Sequence, residues 1–546
     1  MNYEKESQKL RGIRKEVFDF IMKAEPPAAT NMGIHEYDGE LPDGSREAQE
    51  EKIRKFKDWI TELEKIDSQK LEGREKESLK VGKHVLNLRV YELDELRKWE
   101  SNPNHARVIG TSLLPLLKRN FAPLEERLRS AKSRIEAIPE FLADADEMVT
   151  DPVELWIKIG LESLEKLPGL MRVVLNTAQE SELPESEVDD LESAVSAARK
   201  SLDSYGSWLE NQLKDAKEEF AIGSERFSEL LRKEKLGYST DEIMDLGKQY
   251  LDESRSEMEK YARRINDELS VRDAMDRIED NTPKDFDKAL KWYRESIYES
   301  RSFVEKKNLA TIPENESIEV METPDYLRNL IPFAAYIPPA KFDEDRQGVY
   351  LVTPPGEGED LSRFAFWSIR NTTVHEGYPG HHLQMSASAE INDEFTLLAR
   401  ATETIEGWAH YCEEMMKEYG FDDTPEARLI QMKDRRWRAA RIIADIKLST
   451  GQFSYRDGVE FMADTVDMAE ESAEAEVKRY TQNPSYQLSY LLGKHKIDLL
   501  KEDVREKMGG DYRDRFFHDK LIYGGSMPIK FHRDRFNRII NKKENI

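Results

Sequence analysis

The residues best suited to chemistry lie in the segment 374–384, whose sequence is VHEGYPGHHLQ. It begins with the His-Glu pair of the zinc-protease signature, in which a second histidine follows four positions after the first. Pro379 stands at that position here, and the next histidines are His381 and His382. The segment is therefore either a metal site with an inserted kink or a histidine-rich loop without a metal.

Helix geometry limits what this spacing can do. In a straight α-helix, residues four positions apart lie about 40° apart around the axis, whereas residues six apart lie on different faces. Residues seven apart share a face but are separated by roughly 10 Å along the axis, too far for two zinc bonds of about 2.1 Å. An unbroken helix would not bring His375 and a later histidine to one metal ion.

Pro379 and Gly380 remove this obstacle. Proline lacks a backbone donor and clashes with the preceding turn, while glycine adopts backbone conformations closed to other residues. If the four residues 377–380 bulge outward, His381 returns to the position that the second histidine occupies in the shorter motif. We therefore predict that His375 and His381 bind zinc.

A third ligand is expected from the segment 402–416, TETIEGWAHYCEEMM. Glu406 follows His381 at a distance that lets one helix end and a second return antiparallel. On that second helix, residues at three- or four-residue steps share one face; they are Glu403, Glu406, His410 and Glu413. A site of His375, His381 and Glu406 leaves one zinc position open for water.

Neighbouring residues leave alternatives open. His382 can replace His381 as the second ligand, and Glu413 can replace Glu406 as the third. The histidine that does not bind the metal is expected to contact a carboxylate such as Glu403.

Zinc lowers the pKa of a bound water toward neutrality. Glu376, next to the first ligand, is the predicted general base, which takes the water proton and passes it to the leaving amine. Negative charge in the tetrahedral intermediate also needs a hydrogen-bond donor. The candidates lie in the segments NPSYQLSYLLGKHK and FHDKLIYGGSMPIKFHRDRF; they are Tyr486, Tyr490, His495, His518 and Tyr523.

A second group of possible ligands is found near the N-terminus, in the segment GIHEYDGELPDGS. It contains His35, Asp38 and Asp43. Asp, Gly and Pro at this density are typical of a turn, so we interpret the segment as a turn that His35 anchors.

The composition of the whole chain excludes several classes of function. Its 546 residues carry a formal net charge of −26, whereas nucleic-acid binding needs a dense basic surface. The single cysteine, Cys412, cannot form an intrachain disulfide and suits a reducing compartment. The first residues are charged, without the apolar run of a secretion signal, and no apolar run is long enough to span a membrane. The expected location is the cytoplasm, without a nucleic-acid or membrane partner.

Apolar residues at three- and four-residue spacing predict amphipathic helices along most of the chain. The clearest predicted helices are 47–66, 72–100, 153–180 and 186–219. The clearest strand is 346–356, RQGVYLVTPPG, which ends in a Pro-Pro-Gly stop. The predicted fold class is therefore mainly α, with minimal β structure.

A stretch near residues 280–310 with turn-forming residues between predicted helices indicates a division of the chain. An N-terminal helical half, 1–300, would precede a C-terminal helical half, 301–546, that carries the histidine motif. We expect the two halves to form one continuous body that lines a cleft. The sequence gives no indication of the oligomeric state.

Several segments together resemble one known family. HEGYPGHHLQ, EGWAHYCEE, QLSYLLGKHKI and FHDKLIYGGSMPI are similar to the family catalogued as domain of unknown function 885. AATNMGIHEYDGELPDGS and TPDYLRNLIPFAAYIPPAKFD extend the resemblance from about residue 25 to residue 540. It implies a mostly α-helical, zincin-like fold of the gluzincin type, similar to the helical carboxypeptidases and oligopeptidases whose active site lies in a long cleft.

The resemblance also implies roles for individual residues. His375 and His381 correspond to zinc ligands, Glu406 to the third ligand and Glu376 to the base. Tyr490 lies near a SYLLG turn and resembles the donor that helical metallopeptidases use, so it is the favoured oxyanion donor.

The predicted function is that of a zinc-dependent metallopeptidase that hydrolyses short peptides with Glu376 as general base. A metal-dependent amidase or esterase acting on a small molecule is one alternative, because the same water attack serves both. A non-catalytic helical scaffold or peptide-binding protein is another, although it would not need Glu376 beside His375. Four basic residues are candidates to hold a peptide carboxylate: Lys494, Lys496, Arg533 and Arg535.

Overall fold

Helices dominate the structure, as the apolar periodicity predicts. A computed structural model describes residues 2–324, 328, 331, 334–356 and 361–542, and it is mainly α-helical with one small sheet. Two compact units are present. The first contains Met1–Phe220, Pro324–Pro332 and Ala340–Asp345; the second contains Ala221–Thr323, Phe333–Pro339 and Arg346–Ile546. No helix among the described residues is long and apolar enough to cross a membrane.

The first unit contains nine α-helices in its described part. They are α1 (Asn2–Ala24), α2 (Pro26–Met32), α3 (Arg46–Glu64), α4 (Gly73–Val90), α5 (His105–Lys118), α6 (Leu124–Met148), α7 (Glu154–Leu164), α8 (Leu167–Glu180) and α9 (Glu185–Gln212). Helices α5 to α9 bury their apolar faces against one another in a shared core.

Two of the predicted helices, 47–66 and 186–219, match α3 and α9 with shifted ends. The predicted helix 153–180 is divided into α7 and α8, because Pro168 in the first turn of α8 has no backbone N–H with which to continue α7. The predicted helix 72–100 ends early: α4 is followed by a π-helical turn at Tyr91–Leu96 and by a left-handed residue, Arg97, with φ of 44°.

The second unit contains fourteen further α-helices in its described part. They are α10 (Ser224–Lys233), α11 (Thr240–Ile265), α12 (Val271–Glu279), α13 (Phe286–Lys307), α14 (Phe366–Glu376), α15 (His381–Ser388), α16 (Glu394–Leu398), α17 (Thr402–Glu418), α18 (Pro425–Ser449), α19 (Tyr455–Val466), α20 (Glu470–Gln482), α21 (Ser489–Met508), α22 (Asp514–Ile522) and α23 (Ile529–Lys542).

The sheet of the second unit has three strands in the order β1-β3-β2. These are β1 (Glu316–Glu322), β2 (Ala334–Ile337) and β3 (Arg346–Val352). β1 pairs with β3 in parallel, and β2 pairs with β3 antiparallel. The predicted strand 346–356 is therefore confirmed as β3, and it ends before the prolines that follow.

Helices α17 and α21 approach each other at backbone contact. A Cβ atom on Gly407 would lie 2.5 Å from the backbone of Gly493, and a Cβ on Gly493 would lie 2.0 Å from the carbonyl oxygen of Glu403. Both distances are far below van der Waals contact, so each position requires glycine. This close packing fixes the face of α17 that carries Glu403 and Glu406.

Candidate metal centre

The histidine motif is broken at the residues that the sequence analysis predicts. α14 ends at Glu376 and α15 begins at His381. A Cβ on Gly380 would lie 1.9 Å from the carbonyl oxygen of His375, so the chain can fold back over the end of α14 only with glycine at this position. Nε1 of Trp408 donates a hydrogen bond of 2.8 Å to the carbonyl of Pro379 and holds the bulge against α17.

The bulge brings together the side chains of His375, His381 and Glu406. Nε2 of His381 lies 3.3 Å from Oε2 of Glu406, and Nε2 of His375 lies 3.8 Å from the same oxygen. One ligand atom of each residue lies within 4.8 Å of the other two. The three predicted ligands thus meet although they come from three different helices.

The 3.3 Å separation between His381 and Glu406 fits two ligands of one zinc ion, whereas the 3.8 Å separation between His375 and Glu406 is longer. Four ligands around a tetrahedral zinc at bonds of 2.0–2.1 Å lie about 3.3 Å from one another. Direct hydrogen bonds between the same groups would be shorter, at about 2.7–2.9 Å. Two imidazoles and one carboxylate are also a donor set that zinc commonly uses. His375 and Glu406 are each only 6% exposed, so a bound cation would be largely shielded from solvent.

A second row of polar residues orients His375. Its Nδ1 lies 2.7 Å from Oε1 of Glu413, which is completely buried. Glu413 also accepts hydrogen bonds from Asn371 (3.1 Å) and Arg438 (3.1 Å). A carboxylate hydrogen-bonded to Nδ1 orients the imidazole so that Nε2 faces the metal position, and it makes Nε2 a stronger ligand. Glu413, the reserve ligand of the sequence analysis, therefore lies behind His375 and outside the ligand group.

The electrostatics of the site favour positive charge. Burial lowers the pKa of His375, but the carboxylates of Glu406 and Glu413 outweigh this effect and raise it to about 9. Burial raises the pKa of Glu406, but the neighbouring charges of His381 and His375 hold it well below its usual range. Carboxylates that stabilise a proton here would also stabilise a metal cation.

The comparisons with known proteins identify the family. The model of a bacterial protein family of unknown function, DUF885, matches residues 26–535. The chain belongs to the DUF885 family. No protein with a curated description matches it.

Two solved structures resemble this DUF885 chain over nearly its full length. A protein from Shewanella oneidensis, described as a candidate lipoprotein of unknown function, has 22% sequence identity and a TM-score of 0.79, covering 96% of this chain and 99% of its own. A protein from Colwellia psychrerythraea, described as a candidate lipoprotein, has 18% identity and a TM-score of 0.85, covering 98% and 99%. At these identities the likeness shows a shared fold alone.

Glu376, the predicted base of this DUF885 protein, lies at the last position of α14 and is half-buried. Burial raises the pKa of Tyr336 and Tyr350, and the charge of Glu376 raises both further. The carboxylate of Glu376 therefore affects the pKa of one tyrosine in β2 and one in β3. It lies outside the group of His375, His381 and Glu406, and its role as the base stays a prediction.

His382 has partners that the sequence did not indicate. Its Nε2 contacts Glu316 of β1, and its Nδ1 lies 2.9 Å from the hydroxyl of Tyr336 in β2. The expected contact with Glu403 is not formed, because Glu403 pairs with Lys496. Successive residues on a helix point about 100° apart, so His382 faces the sheet while His381 faces Glu406.

Two of the candidate donors are close to the ligand group. The hydroxyl of Tyr486 donates a hydrogen bond of 2.7 Å to Oε1 of Glu406. The ring of Tyr490 is stacked 6.5 Å from the ring of His375 and lies 6.1 Å from that of Tyr486. The structure thus brings the favoured Tyr490 to the site together with Tyr486.

The other candidate donors make contacts elsewhere. His495 lies 2.9 Å from the hydroxyl of Tyr250. His518 is buried between the carbonyl of Leu309 and the hydroxyl of Tyr411. The hydroxyl of Tyr523 contacts the carbonyl oxygen of Thr311 at 3.3 Å.

The lysines proposed to hold a substrate carboxylate are already paired with carboxylates of the chain. Lys494 lies 2.8 Å from Glu414 and 2.7 Å from Asp498, and Lys496 contacts Glu403. Arg533 and Arg535 lie on α23.

Proposed function

We propose that this DUF885 protein is a zinc-dependent metallopeptidase that hydrolyses short peptides. The observation that carries the proposal is the convergence of two imidazole nitrogens and one carboxylate oxygen within 4.8 Å of one another. His375, His381 and Glu406 would hold the ion. Zinc, when bound, supplies Lewis-acid polarisation of a substrate carbonyl and a lowered pKa for water.

The residues around the ligands suit peptide hydrolysis. Glu376 takes a proton from the attacking water, whose oxygen forms a new bond to the carbonyl carbon of the substrate. The same proton passes to the amine nitrogen as the carbon–nitrogen bond breaks, so Glu376 returns to its starting state. The hydroxyl group of Tyr490 can donate a hydrogen bond to the oxygen that gains negative charge, whereas the hydroxyl of Tyr486 already donates to Glu406.

The burial of the site supports a small substrate. With His375 and Glu406 each 6% exposed, the ligand group offers little surface to a folded protein. A flexible peptide or a small amide can enter such a site more readily. The proposal therefore concerns short peptides rather than general proteolysis.

The decisive test is hydrolysis by the purified chain with one equivalent of zinc and again after removal of metal by a chelator. The panel contains dipeptides, tripeptides, acyl amides and esters. Zinc-dependent cleavage of peptides supports the proposal. Cleavage of acyl amides or esters without any peptide would favour the amidase or esterase, and bound zinc with no turnover of any compound would favour the non-catalytic scaffold.

A cytoplasmic location is a further part of this proposal. The two similar solved structures are described as candidate lipoproteins, so the alternative location to test for this chain is a membrane surface. Fractionation of the native host, with detection of this chain by mass spectrometry, distinguishes the two locations.

A further inference from the structure

Two arginines of α18, Arg438 and Arg441, lie against the ring of Tyr490. The guanidinium carbon of Arg441 lies 4.9 Å from the centre of the Tyr490 ring, and that of Arg438 lies 5.8 Å from it. The ring of His375 lies 6.5 Å from the same ring. Tyr490 is thus a neighbour of both a predicted metal ligand and a group of cations.

These cations are not fully neutralised by the chain. Arg438 is paired with Glu413 at 3.1 Å. Arg441 and Arg479 share one carboxylate, Glu476, at 2.9 Å and 2.8 Å. Two guanidinium groups and one carboxylate leave one positive charge, in a chain whose formal net charge is −26.

Glu476 is ionised, so this count of charges holds at neutral pH. Burial raises its pKa, but Arg441 and Arg479 outweigh burial and hold the pKa at about 2. The hydroxyl of Tyr480 donates to Glu476 at 2.6 Å and accepts from Nε of Arg441 at 2.9 Å. The four side chains are therefore held as one unit.

The group of Arg441, Arg479, Glu476 and Tyr480 is buried at Arg441 and exposed to solvent at Arg479. Arg441 is 5% exposed and lies between the rings of Trp437, at 4.0 Å, and Tyr490. The side chain of Arg479 is 42% exposed. Nε of buried Arg438 has no hydrogen-bond partner in the part of the chain that the structure describes. An anion that enters past Arg479 would meet a net positive charge at a place where charges attract more strongly than in water.

We propose that Arg441 and Arg479, beside Tyr490, form a subsite for a carboxylate of the substrate. The ring of Tyr490 lies 6.5 Å from the ring of His375 and 4.9 Å from the guanidinium of Arg441. One peptide residue spans about 3.3–3.6 Å, so a carboxylate within about three residues of the scissile bond would reach from the metal ligands to Arg441. A guanidinium binds a carboxylate through parallel N–H groups, which suits recognition at a fixed distance. This inference rests on the proposed peptidase function and names its substrate class: short peptides with a carboxylate close to the bond that is cut.

The test uses three peptides that differ in the position of the carboxylate: trialanine, trialanine amide and the amide of Ala-Ala-Glu. Their binding is measured by calorimetry to the zinc-loaded chain with Glu376→Gln, which slows turnover by about 10²- to 10⁴-fold, and their KM is measured in the wild-type chain. Loss of one charge-assisted contact is worth about tenfold in affinity. We expect trialanine amide to bind about tenfold more weakly than trialanine. Tight binding of Ala-Ala-Glu amide would identify a side-chain carboxylate as the ligand, and weak binding would identify the terminal one.

Two substitutions with opposite expected signs separate recognition from structural damage. Arg479→Gln should remove the tenfold preference for trialanine over its amide. Glu476→Gln removes the competing anion, so it should strengthen trialanine binding while glutamine keeps a hydrogen bond to the arginines. Arg456→Gln is the matched control, because Arg456 is an exposed arginine of α19 that pairs with Glu460 at 2.9 Å.

Equal binding of trialanine and its amide would overturn the subsite, as would shifts of the same sign in Arg479→Gln and Glu476→Gln, or no binding of any of the three peptides. The proposed function fails in a different way: the wild-type chain would hydrolyse none of the peptides while carboxylate-dependent binding persisted.

Discussion

The two units each contain a cluster of histidine and carboxylate side chains, and the clusters differ in their distances. In the first unit, Nδ1 of His35 lies 2.8 Å from Asp38 and Nε2 lies 2.9 Å from Asp343. In the second unit, the histidine nitrogens lie 3.3 Å and 3.8 Å from Oε2 of Glu406. The distances in the first unit are hydrogen bonds. Those in the second unit are longer than hydrogen bonds, and the 3.3 Å distance equals the separation of two ligands around zinc.

The clusters differ because the two carboxylates beside His35 also receive a hydrogen bond or an ion pair from other residues of the chain. Asp38 also accepts a hydrogen bond of 2.6 Å from Thr30, and Asp343 is paired with Arg119. The carboxylates beside His35 are therefore satisfied by the chain itself, and the cluster anchors the turn after α2. This agrees with the sequence interpretation of a turn, and Asp43 contributes by accepting from the backbone N–H of Ser45 at 2.8 Å.

The comparison teaches that residue types alone do not identify a metal site. Both clusters combine imidazoles with carboxylates. Of the two, only the cluster of His375, His381 and Glu406 brings its nitrogen and oxygen atoms near one another at distances longer than a hydrogen bond. Four predictions test whether this distinction is functional.

The largest effect is expected from Glu376→Gln. Loss of the general base should lower kcat for a cleaved peptide by about 10²- to 10⁴-fold, while bound zinc remains near that of the wild-type chain. Initial rates and elemental analysis of the same preparation measure both quantities. Unchanged kcat would remove Glu376 from the reaction, and loss of zinc would make it a ligand.

Glu406→Ala should weaken zinc binding by more than about 100-fold, because it removes a ligand rather than a residue behind one. Competition with a chelator of known affinity gives the dissociation constant. Glu418→Ala is the control, since Glu418 is an exposed residue at the end of the same helix. Equal zinc affinity in Glu406→Ala and the control would exclude the predicted centre.

Glu413→Gln should have an intermediate effect, with zinc binding about 10- to 100-fold weaker. Glutamine keeps the size of the side chain but loses the charge that orients His375. The same chelator competition measures it. A loss as large as that of Glu406→Ala would instead make Glu413 a ligand.

The smallest effect on the metal is expected from His35→Gln, which should leave zinc content unchanged. Glutamine can replace only one of the two hydrogen bonds that His35 makes to carboxylates. The free energy of unfolding should therefore fall by about 1–3 kcal/mol. Urea denaturation and elemental analysis give the two values. A fall in zinc content would show that the cluster of the first unit also holds metal.

The fold class follows from local pattern, which is why it was predictable. Apolar residues at helical spacing must be buried on one face, and prolines after a strand must end it, so α3, α9 and β3 were found near their true positions. The ends were less predictable. Pro168 divides one apolar pattern into two helices, and the left-handed Arg97 ends another, because a proline within a helix or a residue with positive φ interrupts backbone hydrogen bonding without changing periodicity.

The sequence by itself determined the ligand candidates, because the break at Pro379 and Gly380 and the spacing on α17 are local features. Only the tertiary structure decided what surrounds them. Glu316 beside His382 comes from a distant part of the chain and belongs to no motif. A carboxylate acts on a histidine only within a few ångströms, and that distance is set by the packing of helices and strands that no local pattern encodes.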